Sequence, residues 1–395
     1  MSQNVRQQVV NLGGLGIILL AWTFYAVYLS PTQGWTFFFQ LTVNGIILGS
    51  VYALIALGYT MVYGILKLLN FAHGDVFMVG AFIALGILNL IGGALNPAIP
   101  AGAGGALIVL CMFLAAMTGS GFLGVAIERF AYRPLRNAPR IAPLITALGV
   151  AFFLENSMLL LFGSKFRTYN GFDLVSYNGI HIGGDNGVFV QYLGLMVIIS
   201  AVVLMVALLA LVRWTQLGRA MRAVSFDREA AAMMGIDPDK VIAGTFFIGS
   251  ALAGAAGVMF ALLYSQIYHL MGFLAGLKGF TAAVVGGIGS IPGAMLGGLL
   301  VGLVESWAKG YLNGNVSDLV VFGILIGIML VRLRDPLVDA DLALFRGSVW
   351  CCRGLLRHRA YTFWRAGVPS RPLGRTSMIA IRIPKTTRSE TLPFR

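Results

Sequence analysis

Long apolar runs separated by short polar segments dominate this chain. Eight of these runs approach the roughly 20 mostly apolar residues that a membrane-spanning helix needs; they are 12–29, 40–66, 71–92, 103–128, 141–162, 189–212, 241–264 and 317–333. A longer Gly-rich run, 276–308, is interrupted at Ile291, Pro292 and Gly293, and we interpret it as two spans joined by a tight turn. The pattern predicts an all-α polytopic membrane protein, a bundle of about 8–10 transmembrane helices in which ten crossings is the preferred interpretation.

The composition excludes a soluble globular domain. Hydrophobic residues make up 58% of the 395 residues and charged residues only 11%, whereas soluble domains carry about 25% charged residues. The three cysteines have no disulfide or zinc spacing. The sequence also lacks a Gly-x-x-x-x-Gly-Lys-Ser/Thr phosphate loop and the His-Glu-x-x-His and Gly-x-Ser-x-Gly motifs. We therefore expect no catalytic site, no metal and no cofactor in this chain.

Basic charge is concentrated in a few segments, and these segments predict the orientation. Of the formal net charge of +13, residues 331–395 contribute +9. Lys and Arg are also dense in the loops 129–140 and 213–240, but they are sparse at 163–188 and 309–318. Because basic loops tend to remain in the cytoplasm, we place both basic loops, the N-terminus and the C-terminal tail inside.

The sequence divides into three predicted parts. Residues 1–39 contain a first transmembrane helix, which we interpret as an uncleaved span because no clear signal-peptidase site follows it. Residues 40–333 form the transmembrane body. Residues 334–395 form a basic tail without a long apolar run, which we expect to be disordered and, near an anionic leaflet, attracted to membrane lipid. Only this tail would support a nucleic-acid interpretation of the charge, so we expect no nucleic-acid partner.

Small residues recur at every fourth position on three predicted helices, which predicts sites of close backbone approach. The three stripes are Gly45, Gly49 and Ala53, then Gly249, Ala253 and Gly257, and finally Ala294, Gly298 and Gly302. The segments 47–53 and 247–253 also resemble each other in sequence. They would cross the membrane in opposite directions, which suits an inverted repeat.

Polar residues near the start of the third predicted span are candidates for a pathway through the bundle. Asn70, His73 and Asp75 would lie on the cytoplasmic side. They either line an inner gate or cap the helix, since Asn is a common N-cap residue and an acid suits the first turn.

Three other features of the apolar body have two interpretations each. Glu155 lies well inside a span, where a carboxylate is costly; we expect it to face the interior, paired with Asn156 or Thr146, as part of a pathway or as a structural group. The Gly-rich segment 286–293 either exposes backbone groups to a substrate or only joins two helices. Glu305 is expected to be an exposed residue near a helix end.

A short Ala- and Met-rich segment lies in the basic loop at 213–240. It contains Glu229, Ala230 and Ala231, followed by Gly235. An acid near the start suits the helix dipole, and Gly235 can adopt the left-handed conformation that ends a helix. The segment predicts a short cytoplasmic helix, suited to docking in a partner's groove or serving as an ordinary surface helix.

The loop motif and three further stretches carry a resemblance to a known family. The stretches are 44–54 with 69–75, then 133–136 with 145–149, and finally 279–294. With the Glu-Ala-Ala-x-x-x-Gly motif at 229–235, they resemble the branched-chain amino acid ABC transporter permeases over roughly residues 40–333. The tail is not part of the resemblance.

The resemblance implies a permease subunit, not an enzyme, in the bacterial inner membrane, importing leucine, isoleucine and valine. It implies four kinds of partner: two cytoplasmic ATPase subunits, a second related permease, a periplasmic substrate-binding protein and the amino-acid substrate. The motif residues Glu229, Ala230, Ala231 and Gly235 would couple the chain to the ATPases. The residues assigned to the translocation pathway are Asn44, Asn70, His73, Glu155, Gly286 and Gly287.

Two alternatives remain at this point. The first is the same machine with urea or short amides as cargo. The second is a self-contained secondary transporter or channel, which the coupling motif disfavours because such proteins need no docking helix for ATPases.

Overall fold

A computed structural model describes residues 34–95, 103–135, 138–139, 141–168, 179–182, 187–312, 314 and 316–327. The predicted first span, 12–29, and the tail, 334–395, lie outside the described residues. The predicted division of the chain into three parts therefore stays a prediction.

The described residues form eleven α-helices and two short antiparallel strand pairs. The helices are α1 (Gly34–Leu66), α2 (His73–Leu95), α3 (Ala103–Ile127), α4 (Ile141–Phe162), α5 (Tyr192–Trp214), α6 (Gln216–Phe226), α7 (Arg228–Met233), α8 (Pro238–Tyr264), α9 (Met271–Gly286), α10 (Ile291–Tyr311) and α11 (Val316–Gly327).

Nine of these helices correspond to the nine spans predicted after residue 39. Seven are long and apolar enough to cross a membrane, whereas α9 and α11 are shorter apolar helices among the described residues. The two remaining helices, α6 and α7, connect α5 to α8 in the basic loop. The all-α polytopic fold is confirmed.

Polar caps and proline mark where several helices begin. The Asp237 carboxylate accepts hydrogen bonds from the amides of Asp239 (3.0 Å) and Lys240 (3.4 Å), and a proline opens α8. Ser290 Oγ accepts from the Gly293 amide at 3.3 Å at the start of α10. These caps satisfy amide groups that a helix start otherwise leaves without a partner.

The predicted small-residue stripes are the places where the central helices meet. A Cβ atom added at Gly49 of α1 would lie 2.8 Å from Leu299 Cα of α10, and one added at Gly45 would lie 2.9 Å from Leu303 Cα. On α8, Gly249 faces Gly58 of α1. Side chains at these positions would force the helices apart, so the stripes allow α1, α8 and α10 to pack closely.

Two short strand pairs, which the sequence did not predict, connect the helices at one side. Strand β1 (Arg167–Thr168) follows α4 and pairs with β4 (Gln266–Ile267), which follows α8. Strand β2 (Gly179–Ile182) pairs with β3 (Val188–Gln191). Because β1 and β4 pair, α4 and α8 end on the same side, in agreement with the predicted orientation.

The β2–β3 hairpin is attached to α1 by one side chain. Gln40 Nε2 donates to the Phe189 carbonyl at 2.9 Å, and the Phe189 amide donates to Gln40 Oε1 at 2.8 Å. This two-way contact mimics a strand pairing, so Gln40 holds the hairpin against the first described helix.

Candidate functional site

A buried polar cluster forms where α2 and α9 begin. His73 and Asp75, in the first turn of α2, are each 1% exposed. Glycines allow the two helix starts to touch: a Cβ added at Gly74 would lie 2.7 Å from Gly276 Cα of α9, and one added at Gly272 would lie 2.6 Å from Asp75 Oδ1. The cluster therefore depends on glycine in both helices.

His73 and Asn70 occupy different sides of this cluster. The His73 ring packs edge-on against Tyr59 of α1 with ring centroids 4.7 Å apart, and its Nε2 atom has no hydrogen bond among the described residues. Asn70 Oδ1 accepts a hydrogen bond from the Tyr132 hydroxyl at 3.0 Å. Tyr132 ends the π-helical turn Glu128–Tyr132 that follows α3, so Asn70 connects the approach to α2 with the end of α3.

Glu155 reaches the same cluster from α4. It lies 14 residues after the start of the helix, or about 21 Å along its axis, and it is 6% exposed. Its carboxylate lies within electrostatic reach of Asp75 on α2 and of His269 on the segment that leads into α9. Carboxylates are costly in an apolar bundle and usually line a wet or functional interior.

The expected partners of Glu155 were wrong. Thr146 Oγ1 donates to the Ala142 carbonyl at 3.0 Å, and Asn156 Nδ2 donates to the Phe152 carbonyl at 2.7 Å. Both side chains therefore satisfy their own helix, and the groups that face Glu155 come from other elements.

The remaining predicted pathway residues lie outside the cluster. Asn44 is exposed on α1, where its Oδ1 accepts from Gln40 Nε2 at 3.3 Å. Gly286 and Gly287 lie at the opposite end of α9, about 22 Å from Met271 along the axis. There they form the tight turn into α10, with Gly287 at φ +92°.

A second cluster of charges, with Lys278 and Glu305 buried at its centre, lies between α9, α10 and α11. Lys278 Nζ lies 2.8 Å from Glu305 Oε1 and 2.7 Å from Asp318 Oδ1, and Lys309 Nζ lies 2.6 Å from Glu305 Oε1. The Glu305 side chain is fully buried, so its expected exposure was wrong. Lys278 was missed in the sequence, although a single lysine within an apolar run was the signal for it.

The predicted short helix in the basic loop is α7. The Asp227 carboxylate caps it by accepting from the amides of Glu229 (2.9 Å) and Ala230 (3.2 Å). Gly235 has φ +84° and follows the last turn, while the Ile236 amide donates to the Ala231 carbonyl at 3.1 Å. These bonds form a glycine-based helix end, as the motif predicted.

The outer face of α7 is exposed and partly apolar. Met233 and Met234 are 82% and 83% exposed, and Glu229 is also exposed. Ala231 is instead buried, so one face of the helix packs against the protein and the opposite face is exposed. Exposed methionines on a firm helix suit contact with a partner's groove.

Charged side chains stabilise the start of α8, where the basic loop ends. Desolvation acts to raise the pKa of Asp237, but hydrogen bonds from Lys240 and the amides of Asp239 and Lys240 lower that pKa below its ordinary value. The carboxylate is therefore ionised at neutral pH and caps α8. Arg133 also pairs with Asp239, which connects the segment after α3 to the same helix start.

Comparison with known proteins identifies the family. Residues 41–329 match the model described as the permease component of branched-chain amino acid transport systems. The chain belongs to this family. The high-affinity branched-chain amino acid transport system permease protein BraD of Pseudomonas aeruginosa is 41% identical to this permease over 298 residues, which cover 75% of the chain and 94% of the relative.

Two further relatives agree with this assignment. The high-affinity branched-chain amino acid transport system permease protein LivH of Escherichia coli K12 is 42% identical over 303 residues, or 76% of this permease and 95% of the relative. A probable LivH of Methanocaldococcus jannaschii is 29% identical over 294 residues, or 73% and 87%. No solved structure matches the chain. The family predicted from the motifs is confirmed.

Proposed function

We propose that this permease is a membrane-spanning subunit of an ABC importer that moves leucine, isoleucine and valine across the bacterial inner membrane. The identity of about two fifths to BraD and LivH over nearly their whole lengths supports the cargo class. The buried cluster of Asp75, His73 and Glu155 supports a polar pathway through the apolar bundle.

The observation that carries this proposal is the shape of α7. A short helix capped at both ends, with Glu229, Met233 and Met234 exposed on a basic loop, is suited to a cytoplasmic partner. We assign that partner role to two separate ATPase subunits, on which ATP is hydrolysed. A second related permease and a periplasmic substrate-binding protein complete the proposed importer.

Force applied to α7 has a direct route to the cluster. Gly235 and the Asp237 cap join α7 to α8, and α8 packs against α1, α2 and α3. Movement of α7 during ATP hydrolysis would therefore shift the helices that surround His73 and Asp75. Alternating access follows if the bundle rocks between two arrangements around this cluster.

Uptake by the complete importer in proteoliposomes tests the proposal. We expect ATP-dependent accumulation of radiolabelled leucine, competed by isoleucine and valine, and no accumulation of urea. Accumulation of urea or a short amide without leucine would overturn the cargo, and uptake that proceeds without ATPase subunits would overturn the ABC mechanism.

A further inference from the structure

Helix α9 begins without a side-chain cap, and one face of its first turn is buried. Leu270, at the N-cap position, makes no capping hydrogen bond, and Met271 is 2% exposed. The Met271 amide donates to the Tyr268 carbonyl at 3.2 Å, which uses one amide of the first turn. A helix start leaves four amides without partners in the helix and carries partial positive charge. By contrast, α8 and α10 begin with polar caps.

One buried carboxylate, Asp75, faces this uncapped start, and a second, Glu155, lies near Asp75. Asp75 Oδ1 lies against Gly272, the second residue of α9, and has no hydrogen bond among the described residues. Glu155 is buried on α4, which packs against α2. Within the described part of the chain, the ion pairs of Lys and Arg include neither carboxylate. Two acidic groups without a Lys or Arg partner among the described residues therefore lie near the positive end of a helix.

This pairing of charges is complementary to a zwitterion. An α-ammonium group donates three hydrogen bonds and pairs strongly with carboxylates, and an α-carboxylate is a typical ligand of a helix N-terminus. Because Gly74, Gly272 and Gly276 have no side chains, the two helix starts meet backbone to backbone, and the polar groups at this contact are Asp75 and the first amides of α9. A neutral urea or amide would leave both charges uncompensated.

We propose that the head group of the transported amino acid binds here, with its ammonium between Asp75 and Glu155 and its carboxylate at the amides that open α9. This inference rests on the proposed function and assigns the substrate site within it. It differs from the sequence interpretation in which backbone groups of the turn at 286–293 are exposed to the substrate. That turn leads into α10, whose start is capped by Ser290.

The first test compares Asp75→Asn and Glu155→Gln with wild type in proteoliposomes that contain the complete importer and leucine-loaded binding protein. We measure leucine transported per ATP hydrolysed. We expect ATPase stimulation by the binding protein to remain, while leucine per ATP falls at least about tenfold, the size expected when a charge-assisted hydrogen bond is lost.

Glu305→Gln is the matched control, because Glu305 is also a buried carboxylate but lies in the separate ion-pair cluster. A structural defect in this control should lower ATPase activity and uptake together and leave leucine per ATP unchanged. The same proportional loss in Asp75→Asn and Glu155→Gln would overturn the inference.

The second test asks which charges of the ligand matter. Binding of radiolabelled leucine to the purified importer without binding protein is competed with leucine, with 4-methylpentanoate, which lacks the amine, and with 3-methylbutylamine, which lacks the carboxylate. We expect only leucine to compete in wild type and Asp75→Asn to lose leucine binding. Equal competition by 4-methylpentanoate would overturn the role of the carboxylates.

The outcomes separate the two proposals. If the wild-type importer accumulates no leucine, the proposed function fails. If it accumulates leucine and Asp75→Asn does so with unchanged stoichiometry, the importer stands and only the head-group site fails.

Discussion

Lys278 and Glu305 illustrate how charge is tolerated in this apolar bundle. Glu305 is fully buried and accepts from both Lys278 and Lys309, while Lys278 also reaches Asp318. Each of these two buried charges therefore has a partner of opposite sign. Removing one partner leaves the other charge uncompensated, whereas replacing both with apolar residues removes the cost of desolvation as well.

At this residue scale we predict that Glu305→Gln lowers the free energy of unfolding by about 3 kcal/mol. The double variant Lys278→Met with Glu305→Met should recover most of this loss, because neither buried charge remains. Thermal unfolding of the purified permease in detergent measures both. A double variant less stable than Glu305→Gln would contradict this account.

Single residues also show how far the sequence could predict the site. The cost of a carboxylate in a span correctly placed Glu155 in the interior, but its neighbours Asp75 and His269 come from distant segments. The exposed position expected for Glu305 was wrong because Lys278, which neutralises it, lies 27 residues away, in the other of the two spans of the run 276–308. Spacing along the chain carries no information about such partners.

At the scale of elements, periodicity predicted the helices and their contacts well. The apolar runs became helices with similar bounds, and the stripes at Gly49 and Gly298 meet in the α1–α10 contact. The β1–β4 pair was not predicted, since strands of two residues have no detectable pattern. The uncapped start of α9 was also not predicted, because the apolar run gives no sign of where a helix begins.

The α1–α10 contact gives a second prediction. Gly49→Leu should destabilise the permease by about 1–3 kcal/mol, because the new side chain would meet the backbone of Leu299. Gly86→Leu on α2 is the matched control, since a Cβ there has no atom within 4 Å. Folded yield and thermal stability measure the difference. Equal stability of the two variants would show that the stripe does not set the packing.

The proposed coupling role of α7 gives a third prediction. Glu229→Arg should lower ATP-dependent leucine uptake at least about tenfold, because it reverses the charge at the exposed start of α7. Membrane insertion should remain intact. Gln216→Arg introduces the same basic side chain at an exposed position of α6 outside the motif, and we expect nearly normal uptake from it. Normal uptake by Glu229→Arg would contradict the assignment of α7.

At the scale of the whole molecule, the family match ends before the basic tail. Residues 41–329 contain the family region, the central cluster and α7. Residues 331–395 therefore contribute +9 to the net charge but lie outside the region that matches the family.

The fourth prediction follows from this division. A variant truncated after Arg334 should insert, assemble and take up leucine at nearly the wild-type rate, because the proposed pathway and coupling helix precede residue 330. Uptake assays on matched amounts of membrane protein measure this. Loss of uptake with normal assembly would show that the tail takes part in transport.

The β1–β4 pair has a consequence for how such a transporter could select its cargo. It fastens the end of α4, which carries Glu155, to the segment that leads into α9. Glu155 and the start of α9 are thus connected through the β1–β4 pair. Asp75 lies on α2, which is not part of this connection. We expect the distance between Glu155 and the start of α9 to stay constant during transport, so that it limits which head groups fit. Movement of α2 would then bring Asp75 toward the start of α9 when the substrate binds and take it away when the substrate is released.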